Sequence, residues 1–307
     1  MNGICYIMTS KKIWRSIIAI ILIALSIIFS REISESIREG IKIAALSVIP
    51  AIFPFFVLSD YLSSECNEFS GSHIISKLFL IPESASGVII CGLVCGFPSG
   101  VRHGVRLYEL KIITKEELER LIAIVNNPSL AFVISAVGLG LAGSITDGLL
   151  LFASLLLSVF LIARLTFSKK SFSKYSTFIS GQRFDFVLSI KNAGFTSIIV
   201  SSYIIFFSAI LGIIKHLVKS SIIVAIISSF LEIGNAVTTV TFLIKSPYLR
   251  FIFYGFALGF SGFSAHLQAF SFLPKEISKR KYLKAKFLQG ITCSALTAIL
   301  KTILSLI

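Results

Sequence analysis

Charged residues are scarce in this 307-residue sequence, which contains 14% Asp, Glu, Lys and Arg against 55% hydrophobic residues. Ordinary soluble domains carry roughly 25% charged residues. A soluble domain of this size could not hide so much apolar surface from water. The apolar residues also occur in long runs, and the charges lie between the runs. The composition therefore excludes an ordinary soluble protein and predicts an integral membrane protein whose main partner is the lipid bilayer.

The signals of several other classes of protein are missing as well. The apolar runs have no period-2 alternation, which excludes an outer-membrane β-barrel. The serine of Gly96-Phe97-Pro98-Ser99-Gly100 comes one place too late for a G-x-S-x-G nucleophile turn, and neither a phosphate-binding glycine loop nor a histidine pair at metal-ligand spacing is present. Three of the five cysteines, Cys91, Cys95 and Cys293, lie in apolar runs and suit buried positions better than disulfides or zinc ligands. We expect no enzyme activity, cofactor or metal site.

The net charge of +14 comes from basic residues in short loops beside the apolar runs. This distribution is typical of cytoplasmic loops under the positive-inside rule, so we expect no nucleic-acid partner. Lys11, Lys12 and Arg15 precede the first apolar run like the start of a signal peptide, but no small-x-small cleavage pattern follows Ser30. An uncleaved first helix with a cytoplasmic N-terminus in the cell membrane is predicted.

A transmembrane helix needs about 20 mostly apolar residues. Eight candidate spans approach or meet this length, and they fill Ile13–Ser30, Ile41–Leu62, Leu130–Ile145, Leu149–Phe167, Phe186–Ile214, Ile222–Ile244, Phe251–Leu273 and Phe287–Ile307. The apolar run Gly87–Phe97 is too short to span and predicts a re-entrant or broken segment. The expected fold is an all-α polytopic membrane protein. Between the spans, Lys115–Val125 is predicted to be a short amphipathic helix capped by Thr114.

The two halves of the sequence resemble each other. A shift of 163 residues carries Gly92, Gly96, Phe97, His103 and Asn126 onto Gly255, Gly259, Phe260, His266 and Gln289. Repeats with broken segments at matching positions are typical of transporters. We therefore predict an N-terminal transmembrane helix (1–36), a first repeat (37–167), a basic serine-rich linker (168–185) and a second repeat (186–307). Whether the repeat is inverted or parallel stays open.

Two motifs of the first half could bind a solute. The segment Gly96-Phe97-Pro98-Ser99-Gly100 would break a helix and free backbone groups, which is tolerated at membrane depth where they line a cavity; a tight turn at the membrane surface is the alternative. The segment Asn126-Asn127-Pro128-Ser129 offers two amides to a polar ligand, although the amides could instead cap the following helix.

The second half adds a polar segment and a carboxylate within apolar spans. Gly259 and Gly262 would loosen a helix, while Ser264, His266 and Gln268 place polar groups where lipid provides no partners. The alternative for this segment is helix packing through small residues. Glu232 lies within the Ile222–Ile244 run and is a candidate for coupling to a cation or proton; a structural ion pair with Lys191 or His266 is the competing interpretation.

These motifs together resemble a known family. Ser47 to Phe56, Gly96 to Gly100, Asn126 to Ser129, Phe230 to Glu232 and Gly259 to Gln268 resemble, in this order, the nucleoside-recognition (Gate) domains of the sporulation integral membrane proteins of endospore-forming Firmicutes. The resemblance covers roughly residues 37–300. Val101 and His103 depart from the smaller or aliphatic residues expected there, so the resemblance does not name the solute.

The resemblance implies a protein of the mother-cell or forespore membranes that is required for spore formation, with transport presumed in the family. We expect a carrier of a small polar solute that uses the residues above, with a second copy of the chain as a candidate partner. The alternative is a non-transporting scaffold for other sporulation proteins. In a scaffold the loop residues, such as Arg102, Arg106 and Lys275–Lys286, would matter and the intramembrane polar groups would not.

Overall fold

The computed structural model describes residues 2–50, 52–58, 61, 72–166 and 185–306, and within these ranges all regular secondary structure is helical. The predicted all-α class is confirmed. In chain order the helices are α1 Asn2–Ile28, α2 Ser30–Lys42, α3 His73–Phe79, α4 Ser86–Val94, α5 Ser99–Glu109, α6 Lys115–Val125, α7 Ile145–Thr166, α8 Phe186–Leu217, α9 Ser221–Leu231, α10 Ile233–Leu243, α11 Pro247–Phe260, α12 Gly262–Phe272 and α13 Lys279–Leu306. Wide π-helical turns form Ile43–Val48 and Phe132–Ala142, a 3-10 turn forms Glu83–Ala85, and residues 52–58 are helical.

Among the residues that the structure describes, three helices, α7, α8 and α13, are long and apolar enough to cross a membrane. Two further spans are possible if each of two bent segments crosses as one unit: Ser16–Ile28 with Ser30–Val48, bent by 89°, and His73–Phe79 with Glu83–Val94, bent by 93°. The eight predicted spans are therefore not confirmed. The second bent segment contains most of the run Gly87–Phe97, which was predicted to be re-entrant or broken.

Two predicted spans are interrupted near their centres. The Ile222–Ile244 run divides into α9 and α10 at Glu232, and the Phe251–Leu273 run divides into α11 and α12 at Ser261. Ser261 (φ +72°) and Gly262 (φ +75°) both have left-handed backbone conformations, which end a helix. The hydropathy of the sequence does not reveal such an interruption of a helix, because the residues on both sides of it are apolar.

The short helix α6 is confirmed with its predicted cap. The Thr114 hydroxyl accepts a hydrogen bond from the Glu117 N–H, and the Glu117 carboxylate accepts one from the Thr114 N–H. Leu118, Leu121 and Ile122 are fully buried. Because α6 packs against α5 and α13, it lies inside the protein and not along a membrane surface.

An ion pair joins α6 to the start of α13. The Glu119 carboxylate accepts hydrogen bonds from the Ser278 N–H at 3.0 Å and from the Lys281 ammonium at 2.7 Å. Burial raises the pKa of the Glu119 carboxyl, but these two hydrogen bonds and the positive charges of Lys281 and Lys115 together outweigh it, so the pKa lies below its usual value. Glu119 therefore links the two halves of the chain in its charged form.

Close backbone contact joins α11 to α13, which pack along much of their lengths. A Cβ on Gly255 would lie 2.6 Å from the Thr297 hydroxyl, and a Cβ on Gly259 would lie 2.7 Å from both the Cys293 Cβ and the Gln289 carbonyl oxygen. The two helices can pack this closely only because both positions are glycine. The four predicted domains stay predictions, and the proposed linker lies outside the described residues up to position 184.

Candidate functional site

Four interruptions of helices meet in two pairs inside the protein. Gly96 (φ +77°) lies against the backbone of Ser129, since an added Cβ would come within 2.5 Å of the Ser129 nitrogen. The Phe97 N–H donates a 2.8 Å hydrogen bond to the Asn127 carbonyl. In the second pair, a Cβ on Gly262 would lie 3.1 Å from the backbone of Glu232. Each glycine thus lets one interrupted segment pack directly on another.

A cavity of about 30 Å³ lies between these interruptions. Since about 10–15 Å³ is needed to hold one water molecule, it has room for roughly two. Its walls are mostly apolar, with a few polar side chains among them. The lining residues are Val48, Ile52, Cys95, Phe97, Pro128, Ser129, Phe132, Val200, Ile204, Glu232, Ile233, Ser264 and Gln268.

The amide of Gln268 is the least satisfied polar group of this cavity. Its side chain is buried, and neither Nε2 nor Oε1 has a hydrogen-bond partner among the described residues. A buried polar group without a partner costs about 1–3 kcal/mol. Ser264, one helical turn earlier on α12, also lines the cavity. This unpaired amide, beside Ser264 in the cavity lining, is suited to binding a polar ligand or water.

Glu232 is buried at the cavity with both carboxylate oxygens engaged. Oε1 accepts from the Gly234 N–H at 2.9 Å, and Oε2 accepts from the Asn235 N–H at 2.7 Å and from the Asn235 side-chain amide at 3.0 Å. The carboxylate therefore caps the N-terminus of α10, where the helix dipole favours negative charge. These partners differ from the suggested Lys191 and His266. The coupling role of Glu232 stays a prediction.

A second polar cluster, fully buried, lies around the ammonium group of Lys286. This group donates to the Asn126 carbonyl at 2.8 Å, to Asn127 Oδ1 at 3.1 Å and to Gln289 Oε1 at 2.7 Å. Gln289 Nε2 also donates to Asn127 Oδ1 at 2.7 Å. All four residues have no solvent exposure. The cluster connects the segment after α6 to helix α13.

Tyr282 extends this cluster to α12. Its hydroxyl accepts a 2.5 Å hydrogen bond from the Asn126 amide and lies 2.8 Å from His266 Nδ1. Within the described residues, His266 Nε2 and Asn126 Oδ1 have no hydrogen-bond partner. Helix α12 thus carries Ser264 and Gln268 at the cavity and His266 in the cluster, so it connects the two polar regions.

The predicted site residues fall into three groups. Ser264, Gln268 and Glu232 line the cavity. Asn126, Asn127 and His266 belong to the Lys286 cluster. The others shape the backbone: Gly96 and Gly262 have positive φ, Pro98 and Ser99 begin α5, and Gly100 and Gly259 allow close helix packing.

Three residues of the cluster, Lys286, Tyr282 and Gln289, were not predicted as site residues. Lys286 was assigned to a basic loop because Lys275, Lys279 and several other cations precede it. A helical pattern could have shown its burial. Polar or small residues recur at helical spacing on one face of α13, and all of them are buried: Tyr282, Lys286, Gln289, Cys293 and Thr297.

Comparisons with known proteins give one informative similarity. The chain is 28% identical over 121 residues to the sporulation integral membrane protein YlbJ of Bacillus subtilis (strain 168). The match covers 38% of this chain and 30% of that protein. No family model matches the chain, and no solved structure matches it. The chain is therefore an all-helical membrane protein that is similar in part to a sporulation protein.

Proposed function

We propose that this protein is a membrane carrier for a small polar solute and that the cavity between the helix interruptions is its binding site. The observation that carries the proposal is the buried, unpaired amide of Gln268 in a cavity lined by Ser264 and Glu232. An amide that is unpaired in the unliganded protein gains a hydrogen-bond partner when a solute binds. The free energy lost by leaving the amide unpaired is then recovered and adds to the affinity for the solute.

The surrounding architecture supports transport. Solute sites of secondary transporters are formed by discontinuous helices near the membrane midplane, where unwound backbone lines a cavity. Here residues from the interruptions at Phe97, Pro128 and Glu232 line the same cavity. The glycines of the proposed repeat, Gly96 and Gly259, both lie in close backbone contacts.

The lining also indicates the class of solute. The Gln268 amide provides one donor group and one acceptor, and the Ser264 hydroxyl can do both. Phe97, Phe132 and Ile52 provide an apolar wall. A solute with neighbouring donor and acceptor atoms on a compact, partly apolar body fits this surface. Since the cavity has room for only about two waters, a larger solute would bind only after the cavity opens.

The finer biological assignment rests on similarity alone. The partial match to a protein named as a sporulation integral membrane protein supports a role in spore formation, in the mother-cell or forespore membrane. The resemblance to nucleoside-recognition domains supports the solute-binding role. We propose neither catalysis nor a nucleic-acid partner; a homo-oligomer remains part of the proposal.

A ligand screen by thermal stability tests the carrier function. The purified protein in detergent or nanodiscs is heated with nucleosides, amino acids, dipicolinate or divalent cations, since a ligand of the folded state raises stability with concentration. Gln268→Ala removes the unpaired amide. Leu267→Ala, at an exposed position of the same helix, is the matched control.

We expect a dose-dependent stabilisation that Gln268→Ala loses and Leu267→Ala keeps. A stabilisation retained in full by Gln268→Ala would place the solute elsewhere. A flat response to the whole panel, with normal spore formation in a Gln268→Ala strain, would overturn the carrier proposal and favour the scaffold.

A further inference from the structure

The surroundings of the Lys286 ammonium have the geometry of a small cation site. Its three acceptors are the Asn126 carbonyl, Asn127 Oδ1 and Gln289 Oε1, at 2.7–3.1 Å. We call these three oxygens the oxygen cage. They are neutral oxygens from two distant parts of the chain, and all are buried. A neutral cage is suited to a cation of single charge, because a higher charge would stay uncompensated.

One electrostatic feature of the site, the end of helix α6, favours a positive charge. Asn126 immediately follows α6, so its carbonyl lies at the C-terminal end of that helix, where the helix dipole is negative. The segment after α6 is not helical as far as Ser129, and its Asn126 carbonyl accepts the hydrogen bond from the Lys286 ammonium. Unwound carbonyls and helix C-termini are the groups with which membrane proteins bind small cations.

We infer that the oxygen cage is a site for a monovalent cation and that the chain fills it with its own tethered cation, the Lys286 ammonium. The inference goes beyond the proposed function and does not depend on it. The tethered cation holds the Asn126–Asn127 segment to α13 without a free ion. Once the lysine side chain is truncated, the cage would take ammonium, K⁺ or Na⁺ from solution. In the natural protein, the cage requires neither Na⁺ nor K⁺.

Thermal stability in different salts tests this assignment without knowledge of the solute. Lys286→Ala empties the cage and leaves space for an ion, whereas Lys286→Met removes the charge but fills the space. Lys284→Ala, an exposed lysine on the same helix, controls for loss of one charge. Each protein is melted in chlorides of ammonium, K⁺, Na⁺ and N-methylglucamine at equal ionic strength.

For Lys286→Ala we expect small cations to raise the melting temperature by roughly 3 °C or more over N-methylglucamine. Wild type, Lys286→Met and Lys284→Ala should show no such difference. A Lys286→Ala protein that is equally stable in all four salts would overturn the assignment.

A second variant covers the case in which Lys286→Ala does not accumulate. The double substitution Asn127→Asp Lys286→Ala adds a carboxylate to the cage and so strengthens binding of a free cation. It should accumulate in cells and show the same dependence on small cations. Failure of both variants to accumulate would also count against the assignment, because the K⁺ present during synthesis would occupy the cage.

Discussion

Gly259→Ala tests the close packing of α11 on α13 that supports the site. The new Cβ would lie 2.7 Å from the Cys293 Cβ and from the Gln289 carbonyl oxygen, about 0.7 Å short of the 3.4 Å at which ordinary contact begins. One contact atom is backbone, so relief requires a movement of one helix against the other. Overpacking of this kind costs roughly 1–3 kcal/mol, and alanine's better helix propensity returns about 1 kcal/mol.

The expected net loss in the free energy of unfolding is therefore up to about 2 kcal/mol, or a fall in melting temperature of up to roughly 6 °C. The matched control is Gly194→Ala in the middle of α8, where an added Cβ meets no atom within 4 Å. There the helix propensity acts alone, so we expect a gain of up to about 1 kcal/mol.

A thiol-reactive fluorogenic dye can follow unfolding, because Cys91, Cys95 and Cys293 are buried and react only when the protein opens. Accessible thiols are blocked before heating. If Gly259→Ala melts at or above the temperature of Gly194→Ala, the packing of these two helices is looser than the structure shows and the reasoning fails.

Three further predictions concern contacts away from the cavity. The pKa of Glu119 is lowered by its partners, so its contribution to stability should be present above about pH 4.3 and lost as the pH falls further. Between pH 7 and pH 3, the melting temperature of Glu119→Gln should therefore fall less than that of wild type. Thr114→Ala removes the cap of α6 and should cost about 1 kcal/mol in chemical or thermal unfolding, whereas Thr114→Ser should cost little. Lys301 donates to Asp147 at 2.6 Å in a mostly buried ion pair. A double-mutant cycle of Lys301→Ala and Asp147→Asn should therefore give a coupling free energy of about 1 kcal/mol. Losses of stability that simply add in the double variant would contradict the contact.

Much of the candidate site could be predicted from local sequence. Polar residues in an apolar run are costly unless they meet partners, so Ser264, Gln268 and Glu232 were predictable as interior groups, and they line one cavity. The helix interruption at Glu232 was not predicted. A carboxylate in an apolar run has the same hydropathy whether it pairs with a cation or caps a new helix, and here it caps α10.

Lys286 shows the limit of local reasoning most clearly. It ends a run of exposed lysines, and its burial depends on α6 and its following segment lying against α13, 160 residues apart along the chain. Sequence alone determined that the chain is helical and lies in a membrane, because composition and apolar run length depend only on neighbouring residues. Only the tertiary structure decided which helices are broken and which oxygens surround a buried ammonium, because those contacts join segments that are distant in sequence.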